Sequence, residues 1–200
     1  MKHWRRTFLS EQEEKEVELR VADFEKKTGS EIKIAVMRES SVYRSTRWQF
    51  TALFSIAVTY LLYLEFSWTH DATILLLFQV ASVFSVFYAT TWKPFQKLIL
   101  PAGIISIAVK ERALAMFYRL SVHESAHRSS ALLYVSLFER RFELLLDKNL
   151  NEQFEKEELE TLTAHMRDHF KSRHFESGLM EFITVFENKL IEKKLTHDRN

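Results

Sequence analysis

The sequence predicts an α/β protein, with helices packed on a small sheet, whose chain is interrupted by a two-helix transmembrane hairpin. Three observations predict it. Trp48 to Leu64 and Ala72 to Trp92 contain no charged residue, and runs of about 17 and about 21 residues both fall in the range that crosses a bilayer as a helix. Ahead of these runs the apolar period switches from helical to alternating, and beyond them a wholly apolar run precedes a second alternating one, the pattern of strands set among helices. Two long amphipathic patterns then close the chain.

Averages conceal this division. A mean hydropathy of −0.18, 28% charged residues and a net charge of +1 describe an ordinary globular protein, because the polar flanks cancel the hairpin. Near-neutral charge gives no argument for a nucleic-acid partner, and none is expected. The absence of cysteine excludes disulfides, thiolate metal sites and cysteine nucleophiles and suits a reducing compartment. Three glycines and two prolines argue against disordered linkers. With the hairpin set aside, about 150 residues remain, enough for one domain with its own core. The expected organisation is therefore residues 1–47 as the first part of the domain (helix and strand), 48–92 as the hairpin, 93–109 as an interfacial connector and 110–200 as the second part.

The flanking charges orient the hairpin. Arg44 and Arg47 precede it and Lys93, Lys97, Lys110 and Arg112 follow it, whereas the connecting loop carries Glu65, His70 and Asp71 without a Lys or Arg. The positive-inside rule places both termini in the cytoplasm, which predicts an integral protein of the plasma (inner) membrane. Trp48, Trp68 and Trp92 stand at three of the four helix ends, where amphipathic rings prefer the headgroup region. The first thirty residues hold no apolar signal-peptide core, in agreement with a cytoplasmic N-terminus.

In chain order, Ser10-Glu11-Gln12-Glu13 is a capping box that starts a helix. Val17, Val21 and Phe24 form its apolar stripe, and Gly29 supplies the left-handed residue after the last turn. Ile32, Ile34 and Val36 alternate with Lys33 and Ala35 in a first strand. Beyond the hairpin, Leu98 to Val109 is apolar but interrupted by Pro101 and Gly103 and too short to span, so it is expected at the membrane surface or against the hairpin. A helix resumes from Lys110, with Leu114, Phe117 and Leu120 on one stripe. Ala131 to Leu137 is apolar on both faces, as a central strand is. Glu139-Arg140-Arg141 forms a turn, and Phe142, Leu144 and Leu146 alternate up to Asp147, completing a β-hairpin. Of the two closing helices, one carries Leu159, Leu162, Met166 and Phe170 with acidic residues in its opening turns. The other carries Phe175, Leu179, Phe182, Phe186 and Leu190 and ends in Lys193 and Lys194, charges that suit the helix dipole at each end.

This order of elements resembles the TPM domain family. The resemblance rests on Thr28-Gly29-Ser30-Glu31-Ile32, similar to the family's Thr-Gly-Ala-Glu-Ile, on Val135-Ser136-Leu137 followed by Glu139-Arg140-Arg141 and Asp147, and on Gly178-Leu179 in the last helix. Ser129-Ser130 stand where the family usually has Thr-Gly, and Asn149 stands where a glycine is common, a residue that still tolerates a left-handed turn. A subgroup of the family resembles this chain in carrying a transmembrane hairpin after the first strand. The resemblance implies a compact α/β/α layered domain with a small mixed sheet. It also implies one of three roles: acid phosphatase, cation binder, or accessory protein for the assembly or repair of membrane complexes.

Polar residues at strand ends are the candidates for chemistry: Glu31 at the start of the first strand, and Glu139, Arg140 and Asp147 around the β-hairpin. Gathered carboxylates would hold a divalent cation through oxygen, and an arginine would pair with phosphate. The alternative is a capped sheet edge and a solvated turn. No Gly-rich phosphate loop, cysteine phosphatase loop or nucleophile elbow is present.

His123-Glu124-Ser125-Ala126-His127 matches H-E-x-x-H, in which His123 and His127 bind zinc and Glu124 activates water, the pattern of a metalloprotease. Its context argues against that reading: a strand-like run begins a few residues later, Arg128 adds a cation, and nothing singles out a third ligand among Glu143, Asp147, His165 and His169. His165, His169 and His174 form a second cluster, more simply the border of a buried helix face. The expected function is a membrane-anchored binding or assembly module with the lipid bilayer and membrane proteins as partners. A carboxylate-based phosphatase of low activity and a zinc protease are the alternatives.

Overall fold

The structure, a computed structural model, describes residues 10–65, 71–122, 129–171 and 175–197. The chain forms two compact units, Met1–Ser41 with Ile107–Asn200, and Val42–Ser106.

In the first unit, helix α1 (Glu11–Thr28) begins at the Ser10–Glu13 capping box and ends at Gly29, whose φ of 63° no β-carbon hinders. Strand β1 (Glu31–Met37) pairs in parallel with β2 (Ser130–Ser136), and β2 pairs antiparallel with β3 (Arg141–Leu146), giving a mixed three-stranded sheet in the order β1-β2-β3. The parallel pair needs a long crossover, and here that connection includes the whole second unit. Helices α6 (Lys148–Asn151), α7 (Lys156–Lys171) and α8 (Phe175–His197) complete this unit.

Strand alternation gives the two sheet faces different partners. Ile32, Val36, Ala131, Leu133 and Val135 enter the main core with Val17 and Phe24 of α1, Leu162 and Met166 of α7, and Leu179, Phe182, Phe186 and Leu190 of α8. Phe24 and Phe186 stack with centroids 5.7 Å apart. The other face presents Lys33 and Ala35 of β1, Leu132, Tyr134 and Ser136 of β2, and Glu143 of β3. Helix α5 (Ala102–Arg119) covers it: Lys33 Nζ donates to the Leu120 carbonyl at 2.8 Å, and Arg112 and Lys110 act electrostatically on Tyr134 and Glu143. Helices therefore lie on both faces, the α/β/α layering, and β2 is buried throughout. This second cover also explains why Ala35, expected on the outer side of β1, is buried.

The second unit contains α2 (Arg44–Glu65), α3 (Ala72–Ala89), α4 (Lys93–Ile99) and the start of α5. α2 and α3 run antiparallel, because Arg47 Nε donates to Thr90 Oγ1 at 3.3 Å, Trp48 stacks on Phe87 at 4.5 Å, and Gln79 Nε2 donates to Ser55 Oγ at 3.2 Å. Among the described residues, α3 is the one helix long and apolar enough to cross a membrane. α2 falls short of that measure, its apolar run diluted by Gln49, Thr51, Ser55 and Thr59.

Two local expectations are also revised. The helix expected from Lys110 starts at Ala102, since Pro101 stands just ahead of its first turn, where a missing N–H costs nothing, and Gly103 fits inside that turn. Asn149 does not take a left-handed turn but lies within α6, which Asp147 caps.

Candidate functional site

The sheet separates the four strand-end candidates into two pairs. Glu31 and Asp147 lie at the Ser130 end of β2, and Glu139 and Arg140 lie in the turn after Ser136. Seven strand residues keep these ends about 20 Å apart. No single site contains all four.

At the Ser130 end, Asp147 is 6% exposed, and both of its carboxylate oxygens are engaged. Oδ2 accepts from the Ser130 N–H at 2.8 Å, and Oδ1 accepts from the Leu150 N–H at 2.9 Å as the cap of α6. It joins the start of β2, the end of β3 and the next helix. Glu31 is half-buried, its N–H donates to the Ser129 carbonyl at 2.8 Å, and its carboxylate faces Lys33 Nζ at 3.4 Å. Glu31 also lines an open hollow of about 340 Å³ with Glu25, Lys26, Gly29 and Ser30. The Ser30 hydroxyl oxygen is buried there without a hydrogen-bond partner.

At the other end, residues from four segments converge. Tyr134, fully buried on the α5 face, shares a 3.0 Å hydrogen bond between its hydroxyl and Ser40 Oγ. Glu139 Oε1 accepts from the Ser40 N–H at 3.0 Å, and its Oε2 accepts from Ser136 Oγ. Burial raises the Tyr134 phenol, and the Glu139 charge adds to the rise, against the Ser40 hydrogen bond and the Arg112 guanidinium. Arg112 Nε is itself buried without a hydrogen-bond partner. Glu143, opposite Tyr134 in the register, has its carboxyl raised by burial, against the lowering influence of Lys110 and Arg141. Arg140 is exposed and left-handed, with φ 51°, as the turn requires.

The Tyr134–Ser40–Glu139–Ser136 network is the arrangement that sequence reasoning missed. Glu139 stood out as a turn carboxylate, but Ser40 lies 94 residues from Tyr134. The one available signal was a tyrosine in an otherwise apolar central strand, since a buried phenol usually finds a partner.

Among the described residues, no three His, Asp or Glu side chains are grouped to hold a metal ion. The donor set fits a divalent cation poorly: both Asp147 oxygens take N–H bonds, and both Glu139 oxygens accept hydrogen bonds. The H-E-x-x-H segment, His123, Glu124 and His127, lies outside the described residues, as do Trp68, His70, Arg128 and His174. His165 and His169 belong to α7, but their side chains are likewise outside them.

Comparison with known proteins bears on this fold. Residues 103–189 match the family described as the TPM domain. Among solved structures, the chain is similar to the NMR structure of the BA42 protein from the psychrophilic bacterium Bizionia argentinensis. The TM-score is 0.57 at 17% identity, over 94% of this chain and 86% of that one. Comparison with curated proteins finds no match.

Proposed function

Since the chain carries a TPM domain over residues 103–189, we propose that it is a membrane-anchored binding or assembly module that serves membrane-protein complexes from the cytoplasmic side of the inner membrane. The observation that carries the anchor is α3. It is long and apolar enough to cross a membrane, and none of it is buried. A core helix of a soluble protein would be covered, so an apolar helix left bare in water would cost the burial of several large side chains, each about 1.5–3 kcal/mol. Phe84 alone is 71% exposed. Lipid would cover it.

On this reading α2 crosses with α3, its polar Ser55 satisfied by Gln79 from the facing helix. The charge pattern supports the orientation: Arg44, Arg47, Lys93 and Lys97 stand at one end of the two helices and Glu65 and Asp71 at the other.

A binding role is supported over a phosphatase by the state of the carboxylates. A nucleophile or metal ligand needs a free oxygen, whereas Asp147 and Glu139 have theirs committed within the fold. The test combines topology and turnover. A reporter inserted at His70 is expected outside and one at the C-terminus inside, while the purified chain leaves a generic phosphoester unhydrolysed. A cytoplasmic His70 reporter would overturn the hairpin, and turnover lost on Glu139→Gln in a folded protein would overturn the binding role.

A further inference from the structure

The sheet ends at β3. In the order β1-β2-β3 no strand lies beyond it among the described residues, and it pairs with β2 without a bulge from Arg141 to Leu146. The Asp147 N–H donates to the Ser130 carbonyl at 2.9 Å, which makes these two a hydrogen-bonded pair of the antiparallel ladder. Hydrogen-bonded and non-hydrogen-bonded pairs alternate along such a ladder. Leu145, Glu143 and Arg141 therefore turn their N–H and C=O groups toward β2, and Leu144 and Leu146 turn theirs to the outer edge.

The two edges of the sheet are not alike. β1 has Ile32, Ala35 and Val36 buried and carries Lys33, a charge of the kind that blunts an edge. β3 is half-buried at every residue, contains no lysine or proline, and ends in Leu144-Leu145-Leu146. A regular, apolar edge of this kind is a template for another strand.

Its own sequence fits that edge in one register. A two-fold axis at Leu144 lays β3 antiparallel to itself over Phe142 to Leu146, with Leu144 opposite the second copy's Leu144. Phe142, Leu144 and Leu146 of both copies then share the face that packs on the main core, and Glu143 falls opposite the second copy's Leu145. An axis at Glu143 would set that carboxylate directly against itself, a repulsive pairing. An axis at Phe142 would bring Arg140 into the ladder, and its φ of 51° is not a strand conformation. An axis at Leu145 would set Phe142 opposite Lys148, which already belongs to α6. An axis between residues would oppose an edge-facing residue to one that faces β2.

We infer that β3 is a homodimer interface, joined edge to edge with a second copy of this chain about a two-fold axis at Leu144, so that the two sheets become one. The interface lies in the first unit and does not depend on the anchor.

The test uses the detergent-purified full chain. It contains no cysteine, so Leu144→Cys introduces a sole thiol whose Cα stands about 5.5 Å from its counterpart in the second copy, within disulfide reach. Leu146→Cys sets the two residues about 13 Å apart along the strands, outside that reach. Mild oxidation is expected to link the Leu144→Cys chains into dimers and to leave the Leu146→Cys chains unlinked. Equal linking of both, or of neither, would overturn the interface.

Leu145→Glu and Leu145→Lys remove the same leucine and differ in the charge set against the second copy's Glu143. By sedimentation equilibrium at pH 8, where carboxylates carry their charge, the Leu145→Glu dimer is expected to be about tenfold weaker than the Leu145→Lys dimer. Equal dissociation constants would overturn the register, and a wild type monomeric at every concentration would overturn the interface. A Leu145→Glu chain that fails to fold leaves the cysteine pair to decide.

Discussion

Ser130 and Asp147 hold each other through two hydrogen bonds: the Ser130 N–H donates to Asp147 Oδ2 at 2.8 Å, and the Asp147 N–H donates to the Ser130 carbonyl at 2.9 Å. The pair closes β2 onto β3 just where α6 begins, and the second carboxylate oxygen caps that helix. Asp147→Ala is therefore expected to leave two N–H groups without an acceptor and to cost about 2–4 kcal/mol, with Asp147→Asn costing less. Urea denaturation measures both. A loss below about 0.5 kcal/mol, within the range of ordinary surface substitutions, would deny the residue this structural role.

At the other end of the sheet, Tyr134→Phe removes the partner of the Ser40 hydroxyl. The expected cost is about 1 kcal/mol, with Ser40→Ala similar and the double variant less than additive. Full additivity in a double-mutant cycle would mean that the 3.0 Å contact contributes nothing.

Glu143 makes stability depend on pH. Burial raises its carboxyl above the ordinary range in the folded state, with Lys110 and Arg141 opposing. The folded protein thus favours the protonated acid. That contribution is fully present below the unfolded pKa and is lost as pH rises through the folded one. Glu143→Gln is expected to be more favourable relative to wild type at pH 7 than at pH 4, by thermal denaturation at both. The reverse order would show that Lys110 and Arg141 outweigh burial.

In the main core, Phe186 stacks against Phe24 and Phe182 and meets Phe154 at a tilt. Phe186→Ala is expected to cost about 3–5 kcal/mol through lost contacts and the cavity left behind. A chemical-denaturation midpoint close to wild type would contradict that packing.

Much of this fold was legible in the sequence because it rests on local rules. Ser10 and Glu13 cap α1, Gly29 ends it, the unbroken apolar run of β2 signals burial on both faces, and Asp147 opens a turn of chain. What stayed hidden depends on residues far apart in the chain. Ser40 meets Tyr134 and Glu139 only because β1 and β2 pair in parallel across the inserted unit, and periodicity carries no trace of such a contact. The cover of α5 on the second sheet face was missed for a related reason. Its apolar stripe, Val109, Ala113 and Phe117, runs on from a segment that looked interfacial. Glu31 and Glu139 were found as strand-end carboxylates, but sequence could not reveal that they lie at opposite ends of the sheet.

The central claim is that α3 lies in lipid. Alkaline carbonate extraction of membranes from cells making the full chain tests it most directly, with a Leu76→Glu, Leu77→Glu variant in parallel. Both leucines are exposed on α3 about one turn before its middle, and each charge is expected to cost up to about 2.5–3.5 kcal/mol, the value at the centre of a spanning helix. The account predicts that the wild type stays in the pellet and that the variant is released or lost. Wild-type protein in the carbonate supernatant would contradict it.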